Sequence, residues 1–125
     1  VCLDTAHLFA AGFDVRTADG VARMLRAFDQ TVGLRHLHTF HLNDSKPGLG
    51  TLRDRHENIG QGQIGTKGFR ALIHHRAVRR LPGFIETPGF DRQGPDRKNL
   101  DVLKRLRRSG PLKARPVNRR VRRRS

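Results

Sequence analysis

Asp4, His7, His41, Asp54, His56 and Glu86 are the residues of this chain whose types and order could do chemistry. Each stands at or just beyond a segment that reads as the C-terminal end of a β-strand. Imidazole and carboxylate together suit zinc and neighbouring transition metals. Strand ends are also where parallel α/β enzymes collect their reacting groups. Singly, each residue has a duller role: Asp4 or Asp54 capping a turn, His41 satisfied in a core, Glu86 paired with an arginine. Jointly they argue for a ligand, because polar groups on inward strand faces are costly to bury unless they bind something. His36, His38, His74 and His75 fall on helix surfaces, outward strand faces or strand beginnings, and read as surface residues. Cys2, just before Asp4, reads as a small buried residue.

The elements that must position these groups alternate along the chain. Val1–Asp4 reads as a strand. Ala18–Gln30, with Val21, Met24, Leu25 and Phe28 at helical spacing, reads as an amphipathic helix capped by Thr17 and stopped by Gly33. Leu37–Asn43 reads as a second strand, whose alternation puts Leu37, Thr39, His41 and Asn43 on one face and His38, Phe40 and Leu42 on the other. A long glycine-rich loop, residues 47–65, carries Asp54-Arg55-His56. A helix from Lys67 to Val78 follows, with Thr66 as its cap, then a strand Leu81–Glu86 and a helix Asp96–Leu106. The order βαβαβα, with crossovers too long for hairpins, predicts a parallel sheet. Three such units make three eighths of a (β/α)8 barrel.

Charge and composition set the outer bounds. Nine of the 26 Lys and Arg residues lie in residues 107–125, which hold no acidic residue, so this Arg-rich stretch is predicted to be a disordered tail. It serves either as a solvated end or as a nucleic-acid-binding arm. Of the net charge of +15 the other residues carry six, and a basic surface favours polyanions through counterion release. One cysteine permits no intrachain disulfide, consistent with an intracellular, cytoplasmic protein. No apolar stretch approaches the roughly 20 residues of a membrane span, so no membrane partner is expected. The chain opens at Val1 inside an apolar run, and three strands are few for a buried sheet, so a fragment is expected.

One competing motif needs separate weighing. Gly60-Gln61-Gly62-Gln63-Ile64-Gly65 matches G-x-G-x-x-G, with Glu86 placed like the ribose-binding acid of a dinucleotide fold. That fingerprint requires a hydrophobic strand before its first glycine. Here Asp54-Arg55-His56-Glu57-Asn58-Ile59 stands instead, so the glycines are read as turning the loop that carries the ligands.

Four segments together resemble the C-terminal signatures of the endonuclease IV family: Val1 to Asp14, His41-Leu42-Asn43-Asp44-Ser45-Lys46, Asp54-Arg55-His56-Glu57-Asn58-Ile59-Gly60, and Phe84-Ile85-Glu86-Thr87-Pro88. The resemblance runs from Val1 to about Leu106 and implies the last three βα units of a TIM barrel, domain 1–106, followed by the tail 107–125. It further implies a trinuclear zinc site that cleaves the phosphodiester on the 5′ side of abasic sites in duplex DNA, in an enzyme that is monomeric when full length. On that pattern His7, Asp54 and His56 hold one zinc, Asp4, His41 and Glu86 contribute to a second, and Glu86 is catalytic. Arg55 and Lys46 face DNA phosphates. The family's earlier strands supply two histidines and a bridging glutamate that no segment here matches, so this polypeptide alone is expected to be unstable and inactive. Two other readings are a metal-dependent sugar isomerase or epimerase of the same barrel type and a non-catalytic basic module that binds nucleic acid.

Overall fold

A computed structural model describes residues 1–111. In chain order the elements are β1 (Cys2–Asp4), α1 (Thr5–Ala10), α2 (Ala18–Thr31), a 3-10 turn (Leu34–His36), β2 (Thr39–His41), β3 (Asp44–Ser45), β4 (His56–Glu57), α3 (Gly65–His74), β5 (Gly83–Phe84) and α4 (Arg97–Arg108). The strands β1, β2 and β5 form a parallel sheet in that order. Asp4 lies opposite His41, and His41 opposite Phe84. Consecutive strands are neighbours and each is followed by a helix, the repeating unit of a (β/α)8 barrel.

Alternation along the strands separates two faces. Phe40 and Leu42 enter the core, where they join Val21, Met24 and Leu25 of α2 and Phe69 and Leu72 of α3. Phe9, Phe40 and Phe69 are fully buried, each contributing roughly 1.5–3 kcal/mol by removal from water. Helix α3 rests directly on the backbone before α2: a Cβ on Gly68 would collide with the Val15 carbonyl oxygen, so only glycine permits that approach. On the opposite face His41 and Glu86 look into an open cavity.

Several expectations need correction. The sheet strands are shorter than their apolar runs, although single bonds extend the pairing, from His38 N to the Val1 oxygen and from Leu42 N to the Phe84 oxygen. Leu37 is buried in the core rather than facing the cavity with His41, because the turn at Leu34–His36 delays the pleat until Thr39. Thr66 does not cap α3, which starts at Gly65, two residues before the expected Lys67, and has no capping side chain of its own. That helix stops at His74, short of Val78. Helix α4 continues past Leu106 to Arg108, with Asp96 as its cap. The first two arginines of the 107–125 stretch are therefore helical, and the expectation of disorder for residues 112–125 lies outside the described residues. Cys2 is exposed rather than buried, since it lies on the cavity face.

Both sheet edges leave apolar clefts. One, of about 230 Å³, is lined by Leu3, Leu8, Phe13, Met24, Phe28 and Val32 beside β1. The other, of about 190 Å³, lies under α4 and includes Leu81, Leu100 and Leu103. No helix among the described residues is long and apolar enough to cross a membrane.

Candidate metal centre

Asp4 is where the centre begins. Its backbone ends β1 in an extended conformation and its side chain caps α1, with Oδ1 accepting from Ala6 N at 2.9 Å and His7 N at 3.2 Å. The strand thus passes into a helix without a loop, and His7 is carried on that helix's first turn. The second oxygen, Oδ2, points away from the cap. It accepts from Asn43 Nδ2 at 3.1 Å and lies 3.7 Å from His41 Nδ1 and 3.8 Å from His56 Nε2. With the residue 8% exposed, this carboxylate is the buried floor of the cavity.

The other five residues gather around it. His41, at the end of β2, sets Nδ1 2.6 Å from Glu86 Oε1. Asp54 bridges two rings, with Oδ2 2.7 Å from His7 Nε2 and Oδ1 3.2 Å from His56 Nε2. His56 begins β4, which pairs antiparallel with β3 and folds the glycine-rich loop back over the strand ends. All six residues line one open cavity of about 650 Å³. Two sets of donor atoms lie within 4.8 Å of one another, Asp4 with His7 and His56, and Asp4 with His41 and Glu86. Asp4 belongs to both. Asp54 touches both histidines of the first set, whereas the sequence reading grouped Asp54 with them and kept Asp4 for the second set alone.

The donor chemistry fits a cation. His56 Nδ1 stands 3.1 Å from the Glu86 carbonyl oxygen, which can only accept. In the neutral ring the proton is therefore on Nδ1 and the lone pair on Nε2. That Nε2 is buried, close to two carboxylates, and without a hydrogen-bond partner. A buried lone pair aimed at carboxylates is unfavourable in isolation and becomes favourable once a metal ion stands between them.

His7 and Asp54 share a proton-dependent contact. Their hydrogen bond, reinforced by the more distant Asp4 and Glu86 charges, raises the His7 pKa above its ordinary value, against a smaller opposing effect of burial. The same bond holds Asp54 below the usual carboxylate range. In the metal-free chain the pair contributes stability at pH values below the unfolded imidazole pKa, and that contribution is lost as pH rises through the higher folded value. A metal taking His7 must displace this proton. We expect affinity for zinc to fall as pH drops through the raised His7 pKa, by up to about tenfold per pH unit for each proton released. Calorimetric zinc titrations between pH 8 and 6, in two buffers of different ionisation enthalpy, measure both quantities; a flat profile without proton release contradicts it.

Two residues missed by sequence reasoning hold the centre in place. Asn43, fully buried, donates to Asp4 and accepts from Glu86 N at 2.7 Å, while its backbone exchanges two bonds with the Thr5 hydroxyl. It ties the three strand ends together. Asp44, also fully buried, accepts from the N–H groups of Ser45, Gly60, Gly62, Ile64 and Gly65. The G-x-G-x-x-G stretch therefore wraps an internal carboxylate, and its amides are not free for a pyrophosphate. A Cβ on Gly62 would come within 2.5 Å of Asp44 Oδ1. The only signal in the sequence was the run Asn43-Asp44 directly after a strand.

Lys46 and Arg55 are both exposed and both line a cleft of about 360 Å³ that shares Asp54 and His56 with the metal centre. His74 and His75 stand apart: His74 Nε2 lies 3.0 Å from the Leu106 oxygen, and His75 Nδ1 accepts from Ala77 N.

Comparison with known proteins places this arrangement. Residues 1–107 match the family described as xylose isomerase-like TIM barrel. A Natronomonas pharaonis protein named "Probable endonuclease 4" is 58% identical over 88 residues, 70% of this chain and 32% of its own length. A protein of the same name from Solibacter usitatus is 50% identical over 115 residues, 91% of this chain and 39% of its own. The crystal structure of endonuclease IV from Thermus thermophilus superposes with a TM-score of 0.74 at 37% identity, covering 88% of this chain and 39% of that one. The chain thus spans between 32% and 39% of the length of these relatives. It belongs to the xylose isomerase-like TIM-barrel family, on the endonuclease IV side of it.

Proposed function

We propose that this chain is the part of a zinc-dependent DNA repair endonuclease that supplies Asp4, His7, His41, Asp54, His56 and Glu86 to a multinuclear metal site, and that the complete enzyme hydrolyses the phosphodiester 5′ to abasic sites in duplex DNA. The observation that carries the reading is the bare, buried Nε2 of His56 aimed at Asp4 and Asp54. His7, His56 and Asp54 hold one ion; His41 and Glu86 hold another; Asp4 is shared. When bound, the metals supply Lewis-acid polarisation of the phosphate and neutralise charge on the leaving oxygen. The chain's own contribution is placement. His56 is locked in its ligating tautomer by the Glu86 carbonyl. Asn43 fixes Asp4 and the Glu86 backbone. Glu86 Oε1 is held by His41, and the Glu86 carboxylate, which lines the cavity, is the group that accepts a proton from the attacking water. Lys46 and Arg55 receive the DNA backbone.

The isolated segment is proposed to be inactive, because it spans only 32% to 39% of the length of these relatives and the rest of the centre would have to come from outside it; the whole enzyme works as an intracellular monomer. The sugar isomerase reading has no support from the relatives, which are named endonucleases. The test joins residues 1–107 to the preceding barrel of the Natronomonas pharaonis protein and assays a duplex with one abasic site in zinc. The chimera should nick 5′ to the site, its His56→Ala form should lose at least about 100-fold, and the 125-residue chain alone should not cut. A chimera that folds, binds zinc and leaves the duplex intact rules the reading out.

A further inference from the structure

Beside the metal centre, three cations from three separate segments face one cleft. Lys46 follows β3, Arg55 precedes β4, and Arg92 lies in the loop between β5 and α4; with Pro88 they line the cavity that also reaches Asp54 and His56. Among the described residues none of the three forms an ion pair, although Arg16 elsewhere is held by Asp14 at 2.9 Å. Arg53 adds a fourth cation in the adjoining hollow. The one carboxylate in both hollows, Asp54, is engaged by His7 and His56, so the four cations outnumber it and an anion between them lowers their mutual repulsion.

Arg92 is held in place by a rigid loop. It adopts a left-handed backbone, φ 66°, which a non-glycine residue takes only where its surroundings impose it. Here they do. Arg92 N donates to the Gly89 oxygen at 3.1 Å, Gly94 N to the Pro88 oxygen at 2.8 Å, and Phe90 N to Asp96 Oδ2 at 2.8 Å. Gly89 is clamped by Asn58, whose amide accepts from its N–H at 2.9 Å and donates to its oxygen at 3.1 Å. Asn58 in turn accepts from Asn99 of α4. Because Asn58 follows His56 by two residues, the Arg92 loop is pinned to the segment that bears both a proposed ligand and Arg55.

We propose that Arg92, with Arg55 and Lys46, forms a preorganised subsite for a DNA backbone phosphate next to the one that reacts. The assignment rests on the nuclease reading and adds to it a residue from the β5–α4 loop. The ligand class is a phosphodiester of duplex DNA, held by charge and by the guanidinium forks and without base readout.

The test measures binding of the zinc-loaded chimera, carried through to residue 125, to a fluorescent duplex with a tetrahydrofuran abasic analogue and a cleavage-resistant phosphorothioate at the scissile bond, by anisotropy over a series of salt concentrations. Arg92→Gly removes the guanidinium and relieves the left-handed backbone, so the fold is kept. It should lower the slope of log K against log salt by about 0.9 and weaken binding roughly tenfold at 0.1 M salt. Arg92→Lys should restore most of the slope. Arg26→Ala, on the exposed side of α2, should change neither quantity, and the basic stretch 107–125 is common to every variant. An Arg92→Gly slope equal to that of the unsubstituted chimera, or one matched by Arg26→Ala, overturns the proposal. Cutting by the chimera with an unchanged slope removes Arg92 alone. A lowered slope without cutting keeps the phosphate cleft and removes the nuclease reading.

Discussion

Asp44→Ala should be the most damaging single substitution in the chain, lowering stability on the order of 4 kcal/mol, a large share of what a domain possesses. The carboxylate has no role in the proposed chemistry. It is fully buried and accepts from five backbone N–H groups at 2.8 to 3.3 Å, four of them in the Gly60–Gly65 stretch that leads into α3. Truncation leaves the Ser45 and Ile64 donors buried and unpaired, about 1–3 kcal/mol each, and weakens the start of α3 further. Asp44→Asn keeps one acceptor oxygen and turns the other into a donor facing N–H groups, so it should fall between. Urea unfolding followed by circular dichroism reads the series, and amide exchange at Gly60–Gly65 shows whether the loop opens first. A loss of under about 0.5 kcal/mol for Asp44→Ala, as for an ordinary surface change, would show that the carboxylate does not organise the loop.

Asp4 should show the opposite separation, with metal binding lost and folding largely retained. Asp4→Asn preserves an acceptor for Ala6 N and His7 N, and asparagine caps helices as well as aspartate, but its amide N–H2 then faces the Asn43 Nδ2 donor, so stability should fall by about 1 kcal/mol. The charge shared by the two donor sets disappears. Zinc affinity should therefore drop at least about 100-fold at both sites together, whereas His7→Ala should weaken mainly one. Asp4→Ala should add the loss of the cap, about 1 kcal/mol. Competition titrations with a chromophoric chelator measure the affinities. Independent loss at one site, with the other intact, would show that Asp4 is not shared.

The polarity and order of the elements were legible from the residues. Val21, Met24, Leu25 and Phe28 recur at helical spacing, and α2 occupies Ala18–Thr31 with Thr17 as its cap, one residue beyond the expected end. Parallel pairing followed from crossovers too long for hairpins. Helix α1 did not, because six residues carry too little periodicity to distinguish them from a loop, and its start depends on Asp4 folding back on His7. The two-residue strands β3 and β4 were invisible for the same reason.

The sequence by itself determined which donors exist, that they sit beside strand ends, and that the body around them is basic. Tertiary structure alone decided how they are arranged: that Asp4 lies within both donor sets, that His56 turns Nε2 toward the carboxylates, that Asn43 joins three strand ends, and that the glycine run encloses Asp44. Each depends on a hydrogen bond or close contact between residues 20 to 43 positions apart. Periodicity reports the face a residue occupies within its own element. Which lone pair is free, and which carboxylate oxygen is already engaged, is set by partners that the chain brings together only on folding.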